Sequence, residues 1–189
     1  MTQKLNPFYR FAAEGAAVGR LLLGYSNLEI GLMNCVQMAC GANLNAILKS
    51  MYSTRGETKR IDRAETLGRS HFAHHHLTPN FQHAIAIIRR CLQIRNQYAH
   101  WALWDDNSGK LAFANLESLA KLKRPVNDLR KLRTFHVNAT LLAEQEAYYI
   151  YCDRYTVWLN FEIRTRTGSM TRNVMQKPRR IKRPRLKLK

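Results

Sequence analysis

Apolar residues recur three or four positions apart over most of the chain, the spacing that is typical of amphipathic α-helices. The pattern predicts helices over Phe8–Cys40, Ala42–Met51, Glu57–His76 and about Phe135–Ile163. A further helix is expected to begin near Pro79, because Ile85, Ile88 and Leu92 continue the same spacing and proline suits a first helical turn. The predicted fold class is therefore mainly α.

The period changes after residue 100. Trp101–Trp104 and Lys110–Asn115 flank the polar turn Asp105–Gly109, and this arrangement predicts a small β-hairpin. Beyond the last helix, Thr165–Lys189 has almost no large apolar residues. We therefore expect one helical domain over 1–164, followed by a flexible, basic, disordered tail over 165–189.

The charge of the chain is strongly positive and concentrated near its end. The net charge is +18, and from Ile163 onward there are eleven Lys/Arg and no Asp or Glu. Such a segment favours a polyanionic partner, with nucleic acid preferred over an anionic membrane surface or an acidic protein. The predicted nucleic-acid contacts in the tail are Lys177, Arg179, Arg180, Lys182, Arg183 and Arg185.

The cysteines and the lengths of the apolar runs indicate where the protein is located and whether it contacts a membrane. The four cysteines form no CxxC pair, which indicates reduced core thiols and predicts a cytoplasmic location. No apolar run reaches the ~18 residues of a membrane span, and no secretory signal is evident at the N-terminus. We therefore expect no contact with a membrane.

The segment Arg95-Asn96-Gln97-Tyr98-Ala99-His100 ends the predicted helix that follows Pro79. An imidazole transfers protons near neutral pH, and a guanidinium stabilises the charge that builds on phosphate oxygens. Residues five apart lie roughly 140° round a straight helix. Arg95 and His100 therefore share a site only if the helix ends or distorts between them, or if a second subunit completes the site.

This segment resembles the R-x4-6-H motif of the HEPN superfamily, which consists of helical, metal-independent ribonucleases. The resemblance implies a HEPN-like helical bundle that forms a homodimer and cleaves RNA by attack of the ribose 2′-hydroxyl, with no metal or other cofactor. By this resemblance, Arg95 and His100 would be the catalytic pair. Asn96 and Tyr98 are predicted supporting residues that either contact a phosphate or have a structural role. The resemblance also implies that the protein acts as a toxin or defence effector and has an antitoxin or other partner protein. Trp101 departs from the glycine that many members have after the histidine.

Glu29 interrupts an apolar stripe on the first helix, between Tyr25 and Leu32. A carboxylate at such a position is costly to bury without a cation or hydrogen-bond donors. We predict Arg95 as its partner, which would hold the guanidinium in place. The alternative is a slight rotation of the stripe that brings Glu29 to solvent.

Several features have a plainer interpretation. Cations at the end of a helix are favoured by its dipole, so Arg95 and His100 also fit a structural role. The histidines of residues 71–76 are interpreted as an exposed helix end rather than a metal site. Trp101, Trp104 and Phe113 either stack on bases or form the core under the hairpin, and Trp101 is the one predicted to bind nucleic acid. The alternative function is a non-catalytic nucleic-acid-binding or assembly module that uses the basic tail.

Overall fold

The computed structural model describes residues 7–121 and 133–188, and within these ranges the chain is mainly helical with a small antiparallel sheet. The helices are α1 Ala12–Cys40, α2 Leu44–Tyr52, α3 Glu57–His74, α4 Thr78–His100, α5 Leu116–Ala120 and α6 Ala139–Arg166. The strands are β1 Ala102–Asp105, β2 Leu111–Ala114 and β3 Phe135–Val137. The predicted fold class is confirmed.

Local chemistry explains where the helices begin and end. α1 stops at Gly41, whose φ of 61° lies in the left-handed region that glycine adopts without steric cost. The side chain of Asn43 caps α2 by accepting a hydrogen bond from the Asn45 backbone amide at 2.7 Å. Asn138 accepts one from the Leu141 amide at 3.0 Å, which starts α6. The predicted start of this last helix at Phe135 is therefore wrong.

The sheet has the order β1-β2-β3, with both pairs antiparallel. Leu103, Phe113 and Phe135 are paired in register, so their side chains share one face. Asn107 and Gly109, both with positive φ, turn the chain between β1 and β2. The hairpin was predicted, whereas β3, which extends it to three strands, was not.

The described chain divides into two compact units. The first, here called the hairpin unit, comprises Met1–Leu23, Gln93–Ala147 and Arg183–Lys189. The second, the helical unit, comprises Gly24–Leu92 and Tyr148–Lys182. The C-terminal segment is thus divided between the two units, and the predicted division into residues 1–164 and a tail stays a prediction.

The described part of the C-terminal segment, residues 167–188, differs from the predicted flexible tail because it is hydrogen-bonded within each unit. In the helical unit, the side-chain amide of Asn173 donates to the Trp158 carbonyl at 3.2 Å and to the Glu162 carboxylate at 3.0 Å. In the hairpin unit, the Leu188 amide donates to the His136 carbonyl of β3 at 2.9 Å. Polar contacts hold this segment where the sequence offers few apolar side chains to bury.

Each unit has its own apolar interior. In the helical unit, the rings of Phe72 and Phe81 stack with their centroids 4.1 Å apart. In the hairpin unit, Leu111, Phe113 and Val137 are fully buried. Among the residues described, no helix has both the length and the apolar character that crossing a bilayer requires.

Candidate nucleic-acid interface

The motif residues all lie on α4, which continues as a helix through His100. Arg95 is half-buried and His100 is exposed. Because the helix neither ends nor breaks between them, they lie roughly 140° apart round its axis. One copy of α4 therefore does not present the two side chains on the same face.

Asn96 lies directly beside the guanidinium of Arg95. The Nη1 of Arg95 donates to Oδ1 of Asn96 at 3.1 Å, and both side chains are half-buried. This contact orients one edge of the guanidinium. The contact joins two neighbouring side chains of α4, and the supporting role of Asn96 stays a prediction.

Tyr98 lies inside the hairpin unit rather than on its surface. Its hydroxyl donates to Oε1 of Gln145 on α6 at 2.7 Å, and its side chain is 4% exposed. Burial raises the pKa of the Tyr98 hydroxyl well above its usual range. Tyr98 thus orients Gln145, and a phosphate on the surface does not reach its hydroxyl.

Two buried glutamines hold the end of the chain against the hairpin unit. Gln97, which is 3% exposed, donates its side-chain amide to the Leu186 carbonyl at 2.7 Å. Gln145, which is fully buried, donates to the carbonyls of Arg185 at 2.9 Å and Leu186 at 3.3 Å. Sequence reasoning missed this pair, although Gln97 lies within the motif, because a single glutamine in a helix gives no signal of its partner.

The cations of this docked segment remain at the surface. The Nη2 of Arg183 donates to Oε1 of Gln93 on α4 at 3.1 Å. Arg183 and Arg185 are exposed, whereas Pro184 between them is buried. The backbone and the proline thus face the body of the unit, and both guanidinium groups are accessible to a polyanion.

Within the helical unit, the predicted nucleic-acid residues differ in their contacts. The ammonium of Lys177 donates to Oδ1 of Asn80 at 2.9 Å and lies 4.6 Å from the centroid of the Trp158 ring. The ammonium group of Lys177 is therefore already engaged in contacts within the helical unit. The other predicted cations of this unit, all exposed, are Arg179, Arg180 and Lys182.

Trp101 packs at the edge of the hairpin core. Its ring centroid lies 5.2 Å from that of Phe113 and 5.8 Å from that of Phe135. Phe113 is fully buried, so it belongs to the core, whereas Trp101, Trp104 and Phe135 are half-buried. Of the aromatic residues that the sequence singled out, only the two tryptophans retain an accessible edge.

Glu29 is buried at 4% exposure, as its place in the apolar stripe predicts, but its partner is Arg60. The guanidinium of Arg60 on α3 binds both carboxylate oxygens of Glu29, with Nε on Oε1 and Nη2 on Oε2. The prediction that Arg95 pairs with Glu29 is therefore wrong. α3 supplies the guanidinium of Arg60 in bidentate geometry, which suits a buried carboxylate.

A contact between a histidine and an aspartate lies in the hairpin unit and was not predicted from the sequence. Nε2 of His136 on β3 lies 2.7 Å from Oδ2 of Asp106, and the Ser108 amide donates to Oδ1 at 3.0 Å. Burial opposes ionisation of Asp106, but the hydrogen bonds from Ser108 and His136 outweigh it and lower the pKa of Asp106 to about 2. This pair fastens β3 to the hairpin turn.

The histidines of residues 71–76 lie at and just beyond the end of α3. His71, His74 and His76 are exposed, and the rings of His74 and His75 meet edge-on at 5.0 Å. Burial, followed by the neighbouring imidazoles, lowers the pKa of His75. In the described ranges, no three His, Cys, Asp or Glu side chains are placed to hold a metal ion.

Comparisons with protein-family models, with curated proteins and with solved structures find no match to this chain. The resemblance to the HEPN superfamily therefore rests on the motif residues alone.

Proposed function

We propose that this protein binds RNA and cleaves it as a metal-independent endoribonuclease of HEPN type. The observation that supports this most is the exposed imidazole of His100 at the end of α4, a helix that also carries Arg95 and contacts the cationic C-terminal segment. An imidazole next to concentrated positive charge is suited to proton transfer on a bound phosphodiester.

The proposed reaction needs two proton transfers. The ribose 2′-oxygen loses its proton to one imidazole and attacks the neighbouring phosphorus. The bond to the 5′-oxygen breaks, and that oxygen takes a proton from a second imidazole. The products are a 2′,3′-cyclic phosphate and a free 5′-hydroxyl, so atoms and charge balance without a redox partner.

A homodimer would supply the second imidazole, and the arginine that one chain does not place on the same side of α4 as its own His100. His100 is the one imidazole of the motif, and Arg95 lies roughly 140° from it round α4. Two copies that face each other across a cleft would pair His100 of one chain with Arg95 and His100 of the other. By the same resemblance, we propose a toxin or defence role in the cytoplasm, with an antitoxin as a partner protein.

A cleavage assay in EDTA tests this proposal, with the H100Q and R95Q variants compared with the parent chain. We expect H100Q to cut at least 100-fold more slowly while binding a 2′-O-methyl RNA with affinity within about threefold of the parent, because general acid–base catalysis contributes about 10²- to 10⁴-fold. R95Q should also lose most cleavage. If parent and H100Q cut at the same rate, His100 is not catalytic.

The second candidate is a nucleic-acid-binding or assembly module without catalysis. It is favoured by the uninterrupted helix from Thr78 to His100, which separates the two motif side chains within one chain. In the same assay, this candidate predicts tight RNA binding with no cleavage by any variant, including the parent.

A further inference from the structure

His100 lies on the face of α4 that holds the C-terminal segment. Residues 93, 97 and 100 are four and three apart, so they fall within an arc of about 60° on one side of a helix. Gln93 contacts Arg183, and Gln97 contacts the carbonyl of Leu186. The docked segment therefore lies along the His100 side of the helix, whereas Arg95 lies on another side.

The segment also runs towards the end of α4 where His100 lies. Arg183 contacts Gln93, and Leu186 contacts Gln97. The segment and α4 therefore run in the same direction along this contact. His100 follows Gln97 by three residues, which is about 4.5 Å along the axis. Beyond Leu186, the segment continues to β3, where the Leu188 amide is bound.

Aromatic rings lie next to both the histidine and the segment. Trp101 follows His100 directly and contacts the ring of Phe135. The ammonium of Lys187 lies 3.2 Å from the centroid of the same ring. Proteins commonly bind single-stranded nucleic acids by combining a row of positively charged side chains with partly exposed aromatic rings.

The cations are positioned before any ligand arrives. Gln97 and Gln145 fix the carbonyls of Arg185 and Leu186 from inside the unit, and Pro184 is buried. A flexible basic tail loses more conformational entropy when it binds a polyanion than a segment whose backbone is already hydrogen-bonded to the unit. The backbone that carries the exposed side chains of Arg183 and Arg185 is therefore held in place by hydrogen bonds.

We infer that the segment Arg183–Lys187 and His100 of the same chain form one phosphate-binding strip for single-stranded RNA. The guanidinium groups of Arg183 and Arg185 hold phosphates along the strip that leads to His100, on a face of α4 that Arg95 of that chain does not share. Arg183 and Arg185 are thus further binding residues of the proposed active site. The inference rests on the proposed RNA function.

The experiment is an NMR titration of the full chain with a 2′-O-methyl octauridine, which cannot undergo 2′-oxygen attack. The imidazole resonances of His100 are assigned with H100Q and followed in the parent, in R183Q/R185Q and in R95Q. The matched control is K110Q/K121Q, which removes two exposed positive charges from the same unit. Backbone spectra establish that every variant is folded, and R183K/R185K tests rescue by charge.

We expect the His100 resonances to shift in the parent, in R95Q and in K110Q/K121Q. In R183Q/R185Q the shift should fall at least threefold, the affinity should fall about tenfold, and the slope of log K against log salt should become shallower by about 1.4. R183K/R185K should recover most of the affinity.

Two results would overturn the inference while leaving RNA binding intact: oligonucleotide binding that does not shift His100 in the parent, or equal losses in R183Q/R185Q and K110Q/K121Q. A parent chain that does not bind the oligonucleotide at all would overturn the proposed function together with the inference.

Discussion

At the scale of single residues, the hydrogen bonds around Asp106 strongly lower the pKa of its carboxyl group. It accepts hydrogen bonds from the Ser108 amide and faces the imidazole of His136, and its pKa falls to about 2. In an unfolded chain, the pKa of an aspartate is about 3.9. Because the folded state favours the ionised form, the pair adds stability above pH 4 and loses it as the pH falls through 2.

We predict that D106N lowers the free energy of unfolding by about 0.5–1 kcal/mol at pH 5, a value reduced for solvent screening of this partly exposed group. The difference between D106N and the parent should shrink steadily between pH 4 and pH 2. Urea unfolding followed by circular dichroism at several pH values measures it.

The control for this experiment is D153N, which changes an exposed aspartate on α6. It should show no such pH-dependent difference. A gap between D106N and the parent that stays constant down to pH 2 would contradict the account of the Asp106–His136 pair.

Glu29 shows what the sequence can and cannot predict about a single residue. Its place in an apolar stripe correctly predicted a buried carboxylate that needs a cation. The stripe could not identify which of 31 Lys/Arg side chains supplies the charge, and the structure places Arg60 there. Burial follows from local spacing, whereas the partner depends on how α1 and α3 pack.

At the scale of elements, the docking of the C-terminal segment depends on Gln145. Its side chain accepts from Tyr98 and donates to two carbonyls of the segment. We predict that Q145L lowers the free energy of unfolding by about 1–3 kcal/mol, because buried polar groups lose their partners. Amide exchange of Leu188, whose N–H binds β3, should accelerate at least tenfold.

The matched control is E144L, which also places leucine on α6 but at an exposed position. Its effect on stability should stay within about 0.5 kcal/mol. Unchanged exchange at Leu188 in Q145L, measured by NMR, would show that the glutamine does not hold the segment in place.

The helices were predictable because their apolar spacing is regular over many residues and glycine or asparagine marks their ends, as at Gly41 and Asn43. β3 was missed because it has only three residues and leads directly into the helix cap at Asn138. The docked C-terminal segment was missed for another reason. Its partners Gln97 and Gln145 are more than 35 residues away in sequence, and no local pattern reports such contacts.

At the scale of the whole molecule, the dominant property is a net charge of +18, with eleven Lys/Arg from Ile163 onward. The sequence contains this charge, favours a polyanionic partner, and predicts that the motif lies on a helix. It could not show that Arg183 and Leu186 contact α4, since those hydrogen bonds join residues that are 90 and 89 positions apart in the sequence. The charge and the motif are thus contained in the sequence, but their juxtaposition is not.

The most direct test of the central claim uses an oligodeoxynucleotide with a single ribonucleotide, incubated with the full chain in EDTA. The account predicts one cut, directly 3′ of the ribose, with a 2′,3′-cyclic phosphate on one product and a 5′-hydroxyl on the other, and no cut with H100Q. An oligonucleotide that stays intact although bound, or that is cut at deoxyribose linkages, would contradict it.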